Sequence, residues 1–387
     1  LNLETLEYAQ SQKEKLPVID TLKQIDELPR RIKAVFKADD KGAQLLQRSF
    51  LGLFAYVSNR VPEISDTLYA VDDALRAGFA WEAGPFQYWD MAGVKESVEL
   101  AEQQGETIGA WVKEMLAAGN TSFYKIENSV RKYYDPRSKT YQPLPGGESV
   151  ILLDTYRSNK PVYSNAECTL HDIGDGVLCL EFHSKMNAIG EGILRGINDS
   201  IQIAEEQGWK GIVIGNNAQN FTVGANLMMI AMMAYQQEWD ELNMAVNIFQ
   251  QTSMRIRYSA IPVVIATQGY VFGGGCEFSM HADAVVAAAE SYIGLVEVGV
   301  GIIPGGGGTK EFAVRLSDEI SREGDVQIPR LIDKFKCIAT AQVATSAHEA
   351  FNYGYLLPAK DQVVHNSARN ISEAKAKVLE LSKDYVM

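Results

Sequence analysis

Apolar positions in the first 120 residues recur at three- and four-residue intervals. Ala43, Leu46, Phe50, Leu53, Phe54 and Val57 share one helical face, and Ile64, Leu68, Val71 and Leu75 continue that period after Pro62. Further helices are expected over 94–103 and 107–118. The rhythm stops between Tyr133 and Ser149, where Pro136, Pro143, Pro145, Gly146 and Gly147 deny the segment a regular ladder or helix. The breakdown marks a boundary: an all-α domain over 1–142, a linker over 143–167 and a second domain over 168–387.

The second half changes period. Thr169 to Ile173 and Val177 to Phe182 flank Gly174-Asp175-Gly176, the pattern of a tight hairpin. Ile193, Leu194, Ile197, Ile201 and Ala204 mark a helix, 211–214 a buried strand, 239–249 a long helix and 262–266 another strand, so this half reads as layered α/β. Glycine follows the same division. Fourteen of the 32 glycines fall between Gly211 and Gly308, which puts backbone-dependent chemistry in the second half. The run from Leu227 to Met233 carries four methionines and is expected to pack a core or a pocket wall, with an acyl-chain tunnel as the lesser reading.

The 387 residues are enough for two to three domains, and 46% hydrophobic with 22% charged residues excludes disorder and fibrous repeats. A net charge of −13 without a basic patch argues against nucleic acid and acidic membrane surfaces as partners. The uncharged stretch from 258 to 276 contains Pro262, Gln268 and four glycines, so no membrane span is expected. Leu1 opens the chain without a basic and apolar leader, so a fragment lacking a signal peptide is expected. Cys168, Cys179, Cys276 and Cys337 show no paired spacing for zinc or disulfides, and a reducing cytoplasm is the expected compartment.

Three glycine-bearing loops carry the candidate chemistry: 221–226, 273–277 and 304–309. Lys310 follows Thr309 rather than preceding it, so the last is not a phosphate loop. Neither G-x-G-x-x-G nor G-x-S-x-G occurs, which removes the dinucleotide fingerprint and the hydrolase elbow. What remains is a strand running into Gly273-Gly274-Gly275, where a helix start leaves main-chain N–H groups free for a developing oxyanion. A bare glycine triplet is more often a tight turn without a ligand. Glu277 in the first helical turn can move protons there or merely complement the helix dipole. Glu297, the one acid in an otherwise neutral stretch that runs from Ile293 to Lys310, is a candidate for a perturbed pKa or an exposed loop acid. His171, His183, His281, His348 and His365 have no metal or triad spacing and are assigned ordinary roles.

Lys185-Met186-Asn187-Ala188, the F-x-x-G-A-[DN] element from Phe221 to Asn226, G-G-G-C-E from Gly273 to Glu277, and E-x-x-x-G-x-x-P-G-x-G-G-T from Glu297 to Thr309 together resemble the crotonase superfamily, specifically enoyl-CoA hydratase, over about 168–364. The resemblance implies a layered β-β-α spiral domain acting on acyl-CoA thioesters. It assigns the oxyanion hole to the N–H groups of Val223 and Gly274, catalysis to Glu277 and Glu297, and water positioning to the Gly305 main chain. Lys185, Ala225 and Asn226 are expected near the substrate, Asn226 standing where many relatives carry Asp. The stretch 317–335 looks longer than usual. Relatives continue past the helix at 372–382 into elements that cover the site or build a trimer.

The first half is similar to a different family. Residues 71–86, ending in Gly84-Pro85-Phe86, and Asp90 to Gly93 resemble the helical C-terminal domain of 3-hydroxyacyl-CoA dehydrogenases. The nicotinamide-binding domain that accompanies it is not in this sequence. The two resemblances imply part of a fused dehydrogenase–hydratase of fatty-acid β-oxidation, with acyl-CoA as substrate, no cofactor or metal in this chain, NAD only in the other domain, and a homo-oligomer or β-oxidation complex as the partner. The leading expectation is hydration of trans-2-enoyl-CoA. Its rivals are isomerisation of 3-enoyl-CoA and a silent acyl-CoA-binding or assembly module.

Overall fold

Phe54 and Trp89 stack with ring centroids 4.9 Å apart in the core of the first of two units, Leu1–Gly147 and Glu148–Met387. The structure is a computed structural model that describes residues 4–8, 15–147, 149–320, 324 and 326–386. The first unit is built from α1 (Pro17–Leu22), α2 (Leu28–Lys37), α3 (Lys41–Arg60), α4 (Leu68–Phe79), α5 (Pro85–Ala92), α6 (Val94–Gln103) and α7 (Ala110–Ala117). Asp40 starts α3 by accepting from the Ala43 N–H at 2.9 Å, the usual cap for otherwise unpaired donors. Asp72, buried on α4, does the same for α5 from outside it, accepting from Phe86 N–H at 2.8 Å, Gln87 N–H at 3.2 Å and the Tyr124 hydroxyl at 2.7 Å. A Cβ on Gly84 would run into Asp72, which accounts for the glycine before Pro85.

Two expectations for this unit are corrected. Ile64 lies in the turn between α3 and α4 and is exposed, because α3 carries its helix through to Arg60 and α4 begins only at Leu68. The segment expected to lack a ladder holds the end of β2 and all of β3 in a three-stranded antiparallel sheet, β1 (Tyr124–Glu127), β2 (Val130–Asp135) and β3 (Thr140–Pro143). Pro136 occupies the β2–β3 turn and Pro143 ends an edge strand, positions where a missing N–H costs no ladder bond. The first unit is therefore helical with a small sheet rather than all-α.

The second unit centres on an eight-stranded sheet ordered β10 (Val343–Ala344), β9 (Ala284–Gly294), β8 (Val263–Phe272), β7 (Gly211–Ile214), β6 (Val177–Phe182), β5 (Cys168–Asp172) and β4 (Tyr163–Ser164), with β11 (Gln362–Val364) on β9. The hairpin β5 (Cys168–Asp172) and β6 (Val177–Phe182) is antiparallel, as the sequence predicts, and β4 (Tyr163–Ser164) pairs with its outer strand. β7 (Gly211–Ile214), β8 (Val263–Phe272) and β9 (Ala284–Gly294) run parallel from β6. Successive side chains go to opposite faces. Leu178 and Leu180 join the core beneath α8 (Glu191–Gln207), whereas Val177 and Cys179 join the opposite core with Ile371, Ala374 and Val378. Residues 149–167, expected as linker, are built into this unit: Leu153 is fully buried in the second core and β4 is part of the sheet.

Two helices follow β7, α9 (Leu227–Tyr235) and α10 (Trp239–Arg257); α11 (Gly274–His281) sits between β8 and β9. After β9 come α12 (Gly308–Glu319), α13 (Ile328–Ala339), β10 (Val343–Ala344), α14 (Ala347–Tyr353), β11 (Gln362–Val364) and α15 (Asn370–Leu381). Residues 321–323 and 325, within the stretch expected to be long, lie outside the described residues. The core reading of the methionine run is corrected. α9 has no buried residue, and Met228 is 75% exposed. It lies over α10 at the surface rather than under the sheet. Among the described residues, no helix is long and apolar enough to cross a membrane.

Candidate active site

β8 outruns its neighbour β7, and its extension builds the site. The β8–β9 register shifts between Thr267 and Gly269. Beyond it the loop 221–224 lies alongside: Thr222 N–H donates to Tyr270 O at 3.0 Å and Phe272 N–H to Thr222 O at 3.2 Å. Gly273 then turns with φ +51° and α11 starts, so two glycine loops meet at the carboxyl end of the parallel strands, the customary ligand crevice of such sheets. Val223 N–H and Gly274 N–H donate to no acceptor among the described residues. The lack of a side chain on Gly274 leaves room for Phe249 of α10, whose ring stacks on Phe278 at 4.8 Å.

Glu277 lies in the first turn of α11 and is buried. Its Oε1 accepts from the Gly308 N–H at 2.8 Å, and the N–H groups of Gly306 and Gly307 also face the carboxylate. This is the N-terminus of α12, where the helix dipole favours an anion. Burial nevertheless wins and pushes the carboxyl up to about 7, with the three N–H groups pulling the other way.

Glu297 arrives from the short turn after β9. Gly273 N–H donates to Gly294 O at 2.9 Å, tying the end of β9 to the glycine turn, and the Glu297 carboxyl comes to lie beside Gly273. Its Oε2 is buried with no hydrogen-bond partner among the described residues. Burial first, and the neighbouring Glu277 charge second, push this carboxyl up to about 8. Two acids, one held by main-chain donors and one with an unpartnered oxygen, are thus buried near enough for the charge of one to raise the pKa of the other.

The other expected residues fall around this pair. Gly305 leads into the loop that holds Glu277, and its carbonyl accepts from Gln250 Nε2 at 2.8 Å. Ala225 bridges to Ile189, which brings the turn holding exposed Lys185 next to the loop 221–226. Asn226 caps α9, its Oδ1 accepting from Met229 N–H at 3.3 Å. Among the described residues, none of these four makes a hydrogen bond to either carboxyl.

Sequence reasoning missed Phe249, Gln250 and His281. His281 is buried one helical turn after Glu277, Nδ1 donating to the Glu277 carbonyl at 2.6 Å and Nε2 2.8 Å from Lys310 Nζ. The signal was present in the i, i+4 spacing from Glu277. Beyond it, Glu311 gathers Arg257 at 2.6 Å, Lys310 at 3.1 Å and Arg315 at 3.3 Å. Burial opposes ionisation of Glu311, but Arg257, His281 and Lys310 outweigh it and hold the carboxyl at about 2. Among the described residues no cluster of His, Cys, Asp and Glu could hold a metal ion.

Residues 172–323 match the family model Enoyl-CoA hydratase/isomerase. Both acids, all three glycine loops and Lys185 lie inside that segment, which is layered α/β and follows a helical unit. The chain is similar to a Bacillus subtilis protein described as "Probable 3-hydroxyacyl-CoA dehydrogenase", 39% identical over 372 residues, 96% of this chain and 46% of that protein. It is 27% identical over 157 residues to the mitochondrial enoyl-CoA hydratase of Pongo abelii, covering 38% of this chain and 49% of the relative. The chain thus spans less than half the length of either. A solved enoyl-CoA hydratase from a Polaromonas species superposes with a TM-score of 0.47 at 20% identity, covering 56% of this chain and 77% of that one.

Proposed function

We propose that the second unit hydrates trans-2-enoyl-CoA to 3-hydroxyacyl-CoA, as one step of fatty-acid β-oxidation in a longer protein that also carries 3-hydroxyacyl-CoA dehydrogenase activity. The observation behind this reading is the unequal pair of buried acids: Glu277 fixed by the Gly308 N–H, Glu297 with a buried unpartnered Oε2. Adding water across a conjugated thioester requires a base for the water, an acid for C2 and donors for the thioester oxygen. Glu277, with the lower pKa and three N–H groups favouring its anion, takes the proton as the water oxygen bonds to C3. Electron density moves from the C2–C3 double bond onto the thioester oxygen, which the Val223 and Gly274 N–H groups receive. Glu297, the higher of the two, delivers a proton to C2 and the carbonyl re-forms. The Gly305 main chain borders the water. The addition is redox-neutral and needs no cofactor beyond the CoA thioester, while NAD chemistry is assigned to segments outside this chain.

The test follows loss of the enoyl-thioester chromophore with crotonyl-CoA for the parent chain, Glu277→Gln and Glu297→Gln, each first shown to be folded. Both substitutions should slow hydration roughly a hundredfold or more, the scale of a positioned acid or base. A parent that shifts the double bond of 3-enoyl-CoA yet never hydrates replaces this reading with isomerisation. A folded parent that binds acyl-CoA without turnover replaces it with a binding module.

A further inference from the structure

His281 touches neither the proposed water nor either carboxylate, yet it joins the two elements that define where Glu277 stands. Its Nδ1–H donates to the Glu277 carbonyl at 2.6 Å, which leaves Nε2 as an acceptor for Lys310 Nζ at 2.8 Å in the first turn of α12. The ring also presses on the glycine loop: a Cβ on Gly307, where φ is +117°, would stand 3.0 Å from Cε1 and 3.1 Å from Nε2. A hollow of about 330 Å³ opens along this side of the loop, lined by Gln250, Met254, His281, Ile303 and Lys310, where Gln250 also holds the Gly305 carbonyl.

We propose that His281 is a positioning residue: by bracing the end of α11 against Lys310 and Gly307, it holds the Gly306–Gly308 main chain where its N–H groups meet the Glu277 carboxylate. This inference rests on the hydratase reading of Glu277. Neutral imidazole is the form that makes both bonds, because a protonated ring would place two cations together. Burial, the largest influence, holds His281 down to about 4, and Lys310 and Arg257 act in the same sense while Glu311 opposes them. The ionisable groups around Glu277 itself are Glu297, Cys276 and His281, with Lys310, Glu311 and Arg257 beyond the imidazole. Removing the brace lets the loop withdraw from Glu277. Fewer N–H donors then favour its anion, and its pKa rises.

Hydration of crotonyl-CoA is measured for the full chain as parent, His281→Ala, His281→Asn, Lys310→Met and the Ala/Met double variant, beside Glu277→Gln. His281→Ala should lower kcat about tenfold with KM changed less than about twofold, since a displaced acid or base loses rate rather than ground-state affinity. The acid limb of its kcat/KM profile should move to higher pH, which a loss of stability alone does not produce. His281→Asn keeps the bond to the Glu277 carbonyl and not the one to Lys310, so it should fall between parent and Ala. Lys310→Met should shift the profile in the same direction, and the double variant should add little to His281→Ala. If His281→Ala does not fold, Lys310→Met and His281→Asn carry the test. Folded variants with the parent kcat and pH profile overturn the inference while Glu277→Gln is inactive; full activity in Glu277→Gln instead overturns the hydratase reading beneath it.

Discussion

Gly273 gives Glu297 its place: a Cβ on this residue would stand 3.0 Å from Glu297 Oε1. The same glycine, at φ +51°, makes the turn that starts α11, so one residue shapes the N–H pocket and admits the second acid beside it. Closeness has an energetic consequence, because burial and the Glu277 charge make ionised Glu297 costly.

That cost depends on pH with a definite sign. The folded-state pKa of Glu297 is raised from 4.5 to about 8, so the folded chain binds more protons than the unfolded chain between those values. Its contribution to stability is full below about 4.5 and is lost as pH rises through about 8. Glu297→Gln never ionises. Its melting temperature relative to the parent should therefore improve from pH 5 to pH 9 by at least ~2 °C, on the usual conversion of about 1 kcal/mol to a few degrees. A difference that stays constant across that range contradicts burial of a raised carboxyl.

Gly306→Ala tests the other acid. The added Cβ would run into Glu277 Oε2 and the Phe249 ring, while the backbone at this residue needs no left-handed conformation. The methyl should displace the carboxylate more than it disturbs the fold. Hydration should drop by roughly a hundredfold for a displacement near 1 Å, with the circular-dichroism spectrum unchanged. Parent-like turnover in the folded variant means that the Glu277 position seen here is not the working one.

Limited proteolysis locates the boundary between the units. β3 ends at Pro143 and Leu144 N–H still donates to Arg131 O at 2.9 Å, whereas Leu153 is already fully buried in the second unit. Cleavage is expected within 145–150, giving two resistant pieces, and mass spectrometry of the fragments reads the position. A first cut at 136–139, inside the β2–β3 turn, would show that the small sheet opens more readily than the connection.

Much of this arrangement was legible in the residues. The hairpin around Gly174-Asp175-Gly176 and the strand leading to Gly273 announce themselves by period and turn chemistry, which are local. The four ordered motifs also marked Glu277 and Glu297 before either had a position. What the sequence withheld is non-local. No spacing says that Phe249 fills the room beside Gly274, or that Arg257 reaches Glu311 across 54 residues. The prolines at 136 and 143 misled because their cost depends on place: Pro136 falls in a turn and Pro143 ends an edge strand, which the pairing order decides. The methionine run misled for the opposite reason: apolar composition states what a helix could bury, and no residue of α9 is more than partly buried.

The pH dependence of hydration follows from the two acids together. The productive form has Glu277 ionised to accept the proton of water and Glu297 protonated to supply C2, so the pair must hold one proton. With the carboxyls at about 7 and about 8, that form is scarce when both are protonated below the lower value and scarce again when both are ionised above the higher. Because the Glu277 charge raises the Glu297 pKa, the two limbs belong to the pair rather than to either residue. kcat/KM for crotonyl-CoA, which reports the free enzyme, should trace a narrow bell with its maximum between pH 7 and 8 and fall by roughly tenfold for each pH unit beyond either limb. In Glu297→Gln the alkaline limb should vanish along with most of the rate, while the acid limb should stay at about 7, because Glu297 carries no charge on that limb. A profile that is flat from pH 6 to 9 in the parent would mean that the two carboxyls do not share the proton of the reaction.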